Sequence, residues 1–174
     1  MPEVPEGISL ERHRDLRGRL RQIYARRALI GVIAVLPVLA LLNVFGQRPT
    51  STTVTGQAAS LSVTAPARLR SGLIFQVRVE VIAHRDIHEL EITFDRGWWE
   101  SMSVNSIVPE PSKSNSQNGQ VVLSYGKLEA GQKLIAWVYC QVNPTNVGER
   151  RENVAIDDSG TPLVHLHRSL TIFP

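Results

Sequence analysis

Two groups of histidines carry residue types that bind metal ions. His84 and His88 lie close in sequence to three carboxylates, those of Asp86, Glu89 and Glu91. Imidazole nitrogens and carboxylate oxygens at such spacing can ligate zinc. However, His88-Glu89 lacks the second histidine of the zinc-protease motif, and the segment has no helical pattern. We therefore interpret these residues as solvated polar positions between two strands.

The second group, His165 and His167, is two positions apart on a predicted strand, so both side chains face its polar side. Such a pair can chelate a metal, but solvated polar residues are the more common arrangement. The sequence contains no nucleophile elbow and no paired catalytic carboxylates in a recognisable context. It therefore predicts neither a cofactor nor a metal, and we expect the protein not to be an enzyme.

Trp98 and Trp99 are adjacent, and adjacent residues of a strand point to opposite faces of a sheet. If the parity of the preceding strand, in which Phe94 faces inward, continues, Trp98 lies in the core and Trp99 outside. A bulge at Gly97 would reverse the assignment. The exposed member of the pair is a candidate partner-binding residue, unless a loop or the linker covers it.

Cys140 is the only cysteine of the chain and cannot form an intrachain disulfide. Its parity with Val138 and Val142 predicts a buried, inert thiol.

These residues require a framework, and the alternation of apolar and polar positions predicts one made of strands. Four long segments have their apolar side chains on one face: Phe75–Val81, Leu90–Phe94, Leu134–Val142 and Val164–Ile172. Shorter strands are predicted at Leu61–Thr64, Met102–Val108, Gln120–Tyr125 and Asn153–Ile156. The polar segment Pro109–Gly119 is predicted to be a loop. Seven or eight short strands separated by turn signals indicate an all-β, antiparallel sandwich of the immunoglobulin type.

Short motifs resemble those of bacterial immunoglobulin-like surface domains, including CARDB-type and conserved-repeat sandwiches. Leu61–Pro66 followed by Arg70-Ser71-Gly72 resembles the start of such domains, and Tyr125–Gln132 is similar to their G-x-L-x-x-G turn. Asp95–Trp98 resembles the P-x-G-W that ends a middle strand, with Asp-Arg in place of proline. The resemblance implies a role in adhesion, assembly or presentation and no shared catalytic site.

The segment from Ala28 to Gln47 has twenty positions without a charge. As a helix, such a run spans the roughly 30 Å hydrocarbon core of a bilayer. A cleaved signal peptide is the alternative, but 27 residues precede the run and no suitable cleavage site follows it closely. We therefore predict an uncleaved, single-pass signal anchor with a kink near Pro37.

Arginine dominates the residues before the anchor, among them Arg19, Arg21, Arg26 and Arg27. The positive-inside rule then predicts a cytoplasmic N-terminus and a C-terminal domain outside the cytoplasmic membrane. The arginines either contact anionic lipid or act only as topology determinants. Residues 47–174 contain twelve Lys/Arg and twelve Asp/Glu, so the exposed domain lacks the net basic charge typical of nucleic-acid binding.

The predicted organisation is a cytoplasmic tail (1–27), a transmembrane helix (28–47), a polar linker (48–60) and an extracytoplasmic β-sandwich (61–174). Together these features favour a membrane-anchored, non-enzymatic binding domain that serves as an accessory or assembly factor of an envelope complex. Its expected partners are the lipid bilayer and another envelope or membrane protein. The alternative is a sensor or regulatory subunit that signals through the arginine-rich tail, and a metal-dependent envelope enzyme is a third, less favoured class.

Overall fold

A computed structural model describes residues 20–42 and 47–174, and the chain divides into two compact units, 1–44 and 45–174. The first unit contains helix α1 (Leu20–Leu41), which includes Pro37. By length and composition, its segment Arg21–Leu41 is able to cross a membrane, with a mean hydropathy of 1.8. A signal sequence would have the same properties. Arg21, Arg26 and Arg27 are exposed on the helix, whereas Arg19 lies outside the described residues.

The helix begins eight residues before the predicted start at Ala28. Its first turns are rich in Leu, Arg, Gln and Ala, which have high helix propensity. The helix therefore begins on the N-terminal side of the apolar run. The predicted end at Gln47 is wrong because Gln47 is not helical. Residues 43–46 lie outside the described part of the chain.

In the second unit, the described residues 47–174 form thirteen strands and one 3₁₀ turn, Arg96–Trp98. The strands are β1 (Pro49–Thr55), β2 (Ala59–Pro66), β3 (Arg68–Arg70), β4 (Ile74–Ala83), β5 (Ile87–Phe94), β6 (Met102–Val108), β7 (Lys113–Gln117), β8 (Gln120–Leu128), β9 (Lys133–Val142), β10 (Gly148–Arg151), β11 (Val154–Asp158), β12 (Thr161–Leu166) and β13 (Ser169–Phe173).

Two five-stranded antiparallel sheets form the sandwich. The first sheet has the order β1-β2-β4-β9-β6, and the second has the order β12-β11-β5-β8-β7. A three-stranded sheet, β10-β13-β3, adds the only parallel pairing found among the described residues, that of β13 with β3. The prediction of an immunoglobulin-like antiparallel sandwich preceded by one helix is confirmed, although the described residues form more strands than the seven or eight expected.

The core lies between the two large sheets and consists of the alternate residues of their strands. In β4, Phe75, Val77, Val79 and Val81 are buried, with exposed or half-buried polar residues between them. The inward-facing residues predicted for β5, β9, β12 and β13 are buried as well, except for the half-buried Leu134. The period-two pattern therefore placed the central strands correctly.

The predicted linker, 48–60, is wrong in one respect, because it contains edge strand β1. This strand pairs along its length with β2, and hydroxyl groups rather than apolar contacts connect the two outer faces. Ser51 and Thr64 lie 2.6 Å apart, and the Thr53 hydroxyl donates to Ser62. An edge strand with one neighbour buries little surface and so needs no apolar alternation.

The loop predicted at Pro109–Gly119 is also partly wrong, because residues 113–117 form strand β7. It makes a hairpin with β8 around Asn118-Gly119, both of which have positive φ. Asn-Gly is typical of a tight hairpin turn, and it stands at the end of the segment Pro109–Gly119. Strand β7 lies at the edge of the second sheet and, like β1, is polar.

We predict that a membrane-impermeant maleimide does not label Cys140 in the native protein but labels it after denaturation. The residue is 1% exposed, and burial, with a smaller contribution from Glu152, raises the pKa of its thiol to about 12. The reactive thiolate is therefore nearly absent at neutral pH. The measurement is the stoichiometry of labelling in each state.

Ser106→Cys is the matched control, since Ser106 is exposed and pairs with Tyr139, the neighbour of Cys140. It should react rapidly in the native state. Equally rapid labelling of Cys140 would mean that β9 is inverted in its sheet.

Candidate functional site

The 3₁₀ turn Arg96–Trp98 follows β5 and sets the positions of both tryptophans. The Asp95 carboxylate before it accepts hydrogen bonds from Asn153 Nδ2 at 2.6 Å and from Gln120 Nε2 at 3.0 Å. At Gly97, a Cβ would lie 1.7 Å from the Arg151 carbonyl oxygen, so only glycine fits. The turn therefore packs directly against the backbone of β10.

Trp98 is 1% exposed and belongs to the core, as its parity with Phe94 predicted. Its indole Nε1 donates to the carbonyl oxygen of Asn153 at 3.0 Å. Its ring meets that of Phe94 edge-on, with 5.7 Å between centroids, and the Arg168 guanidinium carbon lies 5.8 Å from its centroid. Trp98 is thus a structural residue with a satisfied polar group.

The side chains of Arg168 and Glu152 form a buried pair beside Trp98. Arg168 Nε lies 3.5 Å from Glu152 Oε2, and the two side chains are 4% and 0% exposed. Arg168 Nη2 also donates to the carbonyl oxygens of Ala65 and Pro66. Neither carboxylate oxygen of Glu152 has a hydrogen-bond donor among the described residues. The guanidinium of Arg168 therefore has hydrogen-bond acceptors, whereas the carboxyl group of Glu152 has no hydrogen-bond donor among the described residues.

Burial raises the pKa of Glu152 to about 8, and the positive charge of Arg168 offsets part of this rise. At 3.5 Å, without a hydrogen bond, the attraction does not compensate for the loss of hydration. Burial therefore favours the protonated form of this carboxyl group more than in an exposed glutamate. Sequence reasoning missed this pair, because Glu152 lies between strands and carries no parity signal.

Trp99 does not have the exposed position predicted for it. It is half-buried and packs on the core, with its ring 5.6 Å from that of Phe94. Its indole nitrogen is buried and has no hydrogen-bond partner among the described residues. The prediction was wrong because residues 96–98 form a turn, in which the strand parity does not hold. A partner-binding role for Trp99 is still a hypothesis.

Four residues of the first histidine group bond to separate neighbours, and Oε1 of the fifth, Glu89, lies 3.9 Å from Lys113 Nζ. His84 Nε2 lies 3.0 Å from the Ser60 hydroxyl, and His88 Nδ1 lies 3.5 Å from Asp158 Oδ2. Asp86 accepts from a backbone amide of the turn at 129–132, and Glu91 accepts from that of Gly160. Within residues 20–42 and 47–174, no three His, Cys, Asp or Glu side chains are placed to hold one metal ion.

The structure places the two histidines of the second group, His165 and His167, next to each other. Both rings are exposed, and Nδ1 of His165 lies 3.1 Å from Nε2 of His167. His167 Nδ1 is in turn 3.3 Å from Asn153 Oδ1, which makes a short surface chain of polar contacts. An open cleft of about 430 Å³ adjoins His167 and is lined by Glu149, Arg151, Asn153, Arg168 and Ser169. Its depth and lining do not resemble a small-molecule pocket.

The outer face of the first sheet carries an aromatic pair that sequence reasoning did not single out. Trp137 and Tyr139 alternate along β9 with buried residues and so point away from the core. The Arg78 guanidinium carbon lies 5.5 Å from the Trp137 ring centroid, and Gln76 Nε2 donates to the Tyr139 hydroxyl at 2.8 Å. The alternation along β9 that places Cys140 in the core also places these two aromatic side chains on the opposite face of the sheet. The sequence pattern therefore contained the signal for this pair.

Apolar side chains continue this surface across the neighbouring strands. Val108 pairs with Trp137 and is 52% exposed, whereas Ile74 pairs with Gln141 and is 57% exposed. Charged residues lie beside it: Glu80 forms ion pairs with Arg78 and Lys133, and the hydrogen bond from Lys133 lowers its pKa. We call the residues Ile74, Val108, Ile135, Trp137 and Tyr139 the aromatic face.

No protein-family model and no curated protein matches this sequence. Similar solved structures include the CARDB domain of a Pyrococcus furiosus protein, described in complex with di-metal ions (13% identity, TM-score 0.40, 73% of this chain and 96% of that chain). A non-cellulosomal cohesin from Archaeoglobus fulgidus matches at 13% identity and TM-score 0.38, over 72% and 92%. A FixG-related protein from Vibrio parahaemolyticus matches at 12% and 0.39, over 67% and 97%.

A CARDB domain is thus among the similar structures. The identities are low and the TM-scores are below 0.5. The metal ions of the CARDB domain therefore say nothing about the histidines of this chain.

We predict that Trp98→Ala lowers the free energy of unfolding by about 3–5 kcal/mol, a large share of the stability of a small domain. The substitution leaves a cavity and removes the hydrogen bond to Asn153 and the contact with Arg168. Trp99→Ala should cost clearly less, since this ring is half-buried. Chemical denaturation of both variants checks the order, and equal losses would contradict the assignment of Trp98 to the core.

We also predict that Glu152 makes the folded protein less stable as the pH rises from about 5 to about 8. The folded chain holds this proton up to a pKa of about 8, whereas the unfolded chain releases it near 4.5. The stabilising contribution is therefore complete below pH 4.5 and is lost as the pH approaches 8. Glu152→Gln has a similar shape and no titrating proton, so its Tm should vary less across this window.

The Tm of Glu152→Gln minus the Tm of the wild type, measured at pH 5 and pH 8, isolates this carboxyl group and should rise with pH. Glu149→Gln is the matched control, since Glu149 is exposed in the same segment, and it should follow the wild type. A value that stays constant or falls toward pH 8 would contradict the prediction.

Proposed function

We propose that the chain is a single-pass membrane protein that displays a non-enzymatic immunoglobulin-like domain outside the cytoplasmic membrane. Helix α1, long and apolar enough to span a bilayer, supports the anchor. The arginines on its N-terminal side support a cytoplasmic N-terminus, since cytoplasmic flanks carry the excess of positive charge. In this arrangement the sandwich is the part of the chain that meets partners.

The aromatic face is the observation that carries the binding function. It combines two half-buried aromatic side chains with exposed aliphatic residues on the outer face of the first sheet. Trp and Tyr are the residues that most often dominate the energy of protein interfaces. The neighbouring charges of Arg78, Glu80 and Lys133 resemble the polar rim of such an interface.

The proposed partner is another protein of the envelope or membrane, and the domain acts as an accessory or assembly factor. An exposed sheet face suits a protein surface, whereas small molecules bind in concave pockets. Trp98 is not part of this surface because it lies in the core. Trp99, half-buried at the end of the sandwich, is the second candidate contact.

We predict that a photo-crosslinking amino acid at Ser106 forms one discrete protein adduct in intact cells. Ser106 is exposed and pairs with Tyr139, so it lies beside the aromatic face. Adding Trp137→Ala should abolish most of this adduct, since loss of a hot-spot residue costs about 2 kcal/mol or more of binding free energy. Immunoblotting for the full chain measures the yield.

The matched control is the same photo-crosslinker at Asn115, which is exposed on the second sheet and should give no adduct. Thermal unfolding of Trp137→Ala must match the wild type, so that lost crosslinking reports binding. Loss of the adduct in Trp99→Ala but not in Trp137→Ala would show that the partner binds at Trp99 and not at the aromatic face. Labelling of Ser106→Cys by an impermeant maleimide only after permeabilisation would contradict the external location.

A further inference from the structure

One end of the sandwich contains the point at which the chain arrives from α1, and we call it the proximal end. Gln47 marks it, since its Nε2 donates to the carbonyl oxygen of Ile74 at 3.0 Å. The turn at 71–73 lies there, with Gly72 next to Pro144 and the Leu73 carbonyl accepting from Val142. The opposite, distal end contains the turns at 56–58, 84–86, 130–132 and 159–160.

Large apolar side chains are exposed at the proximal end. Leu73 is 41% exposed, Ile74 57% and Val147 49%. Val147 precedes β10, whose first residue pairs with Ile172, and Ile172 in turn pairs with Leu69 of β3. The three side chains thus occupy neighbouring turns of one end, and none contributes to the core.

Exposed arginines lie at the same end of the sandwich. Arg48, Arg68 and Arg70 are all exposed, and Arg70 Nε donates to the carbonyl oxygen of Pro174 at 3.4 Å. Arg70 also precedes the turn that presents Leu73 and Ile74. We call Arg48, Arg68, Arg70, Leu73, Ile74 and Val147 the proximal patch.

Both ends of the sandwich carry charges of both signs. At the proximal end, Glu149 follows Val147 by two residues, and Glu100 forms an ion pair with Arg150. Arg68 and Arg70 of the proximal patch nevertheless lie close in sequence to the exposed Leu73 and Ile74. The domain therefore presents arginines and exposed apolar side chains together on the side where its chain enters.

Chain length restricts the distance between the domain and the bilayer. Only the seven residues 42–48 separate the last residue of α1 from the first residue of β1. A fully extended chain of this length spans at most about 30 Å. The polar spacer predicted at 48–60 is not available to lengthen this connection, because residues 49–55 are paired in the sheet.

We propose that the proximal patch is a membrane-contact surface, on which the arginines bind lipid phosphates and Leu73, Ile74 and Val147 enter the headgroup region of an anionic bilayer. This proposal rests on the membrane anchor proposed above. Arginine forms bidentate hydrogen bonds with phosphate, and interfacial binding combines such charges with buried apolar area. The domain then lies on the surface of the bilayer instead of extending away from it.

The test uses the full chain with Leu73→Cys, labelled with an environment-sensitive fluorophore and reconstituted into vesicles. The buried Cys140 does not compete for the label, and unmodified protein provides the background. In vesicles of phosphatidylglycerol and brominated phosphatidylcholine, the fluorophore at position 73 should lose most of its emission through quenching by bromine. Gln57→Cys, exposed at the distal end, is the matched control and should not be quenched.

Charge dependence is tested with vesicles that contain brominated phosphatidylcholine alone and with the double variant Arg68→Ser/Arg70→Ser. Each should reduce quenching at position 73 without changing the protein's thermal unfolding. Undiminished quenching in both would overturn the role of the arginines. Equal quenching at positions 57 and 73, or none at position 73, would overturn the surface as a whole.

Flotation of the vesicles separates this proposal from the anchor on which it rests. If the chain floats with lipid and position 73 stays unquenched, only the membrane-contact surface is wrong. If the chain does not float with lipid, both the anchor and the surface are wrong.

Discussion

The buried pair of Arg168 and Glu152 connects the parts of the domain that strand pairing alone does not join. Arg168 lies between β12 and β13, Glu152 lies between β10 and β11, and the arginine reaches the end of β2 through two carbonyl oxygens. Its guanidinium also lies over Trp98, which fixes the turn after β5. The small sheet β10-β13-β3 is thereby held against both large sheets at the proximal end.

This buried pair adds little net stability. Burial raises the pKa of Glu152, because the loss of hydration outweighs the attraction of Arg168 at 3.5 Å. Removing either side chain, however, leaves its partner buried without compensation. A single substitution in the pair is therefore expected to destabilise the domain more than the pair stabilises it.

The alternation of apolar and polar residues predicted the strands that bury one face in the core. It failed for strands that bury few side chains. Phe75–Val81 and Leu134–Val142 lie as predicted because each inward residue has a partner in the core. Strands β1 and β7 were missed, since edge strands made of Ser, Thr, Asn and Lys resemble linkers. Trp99 was misplaced because a turn interrupts the parity, and Glu152 was missed because its burial depends on residues distant in sequence.

The aromatic face and the proximal patch are compatible because the first lies on the outer face of the first sheet and the second at one end of the sandwich, with only Ile74 in common. Strand β4 runs from Ile74 at the proximal end to Ala83 at the distal end, and β9 runs antiparallel to it. A bilayer in contact with the proximal patch therefore lies at the ends of these strands, whereas Trp137 faces sideways from the middle of the sheet. Ile74 belongs to both surfaces, so a partner bound at the aromatic face would meet the domain close to the lipid. A membrane protein satisfies this geometry better than a soluble one, because its own extracytoplasmic part is already confined to that layer.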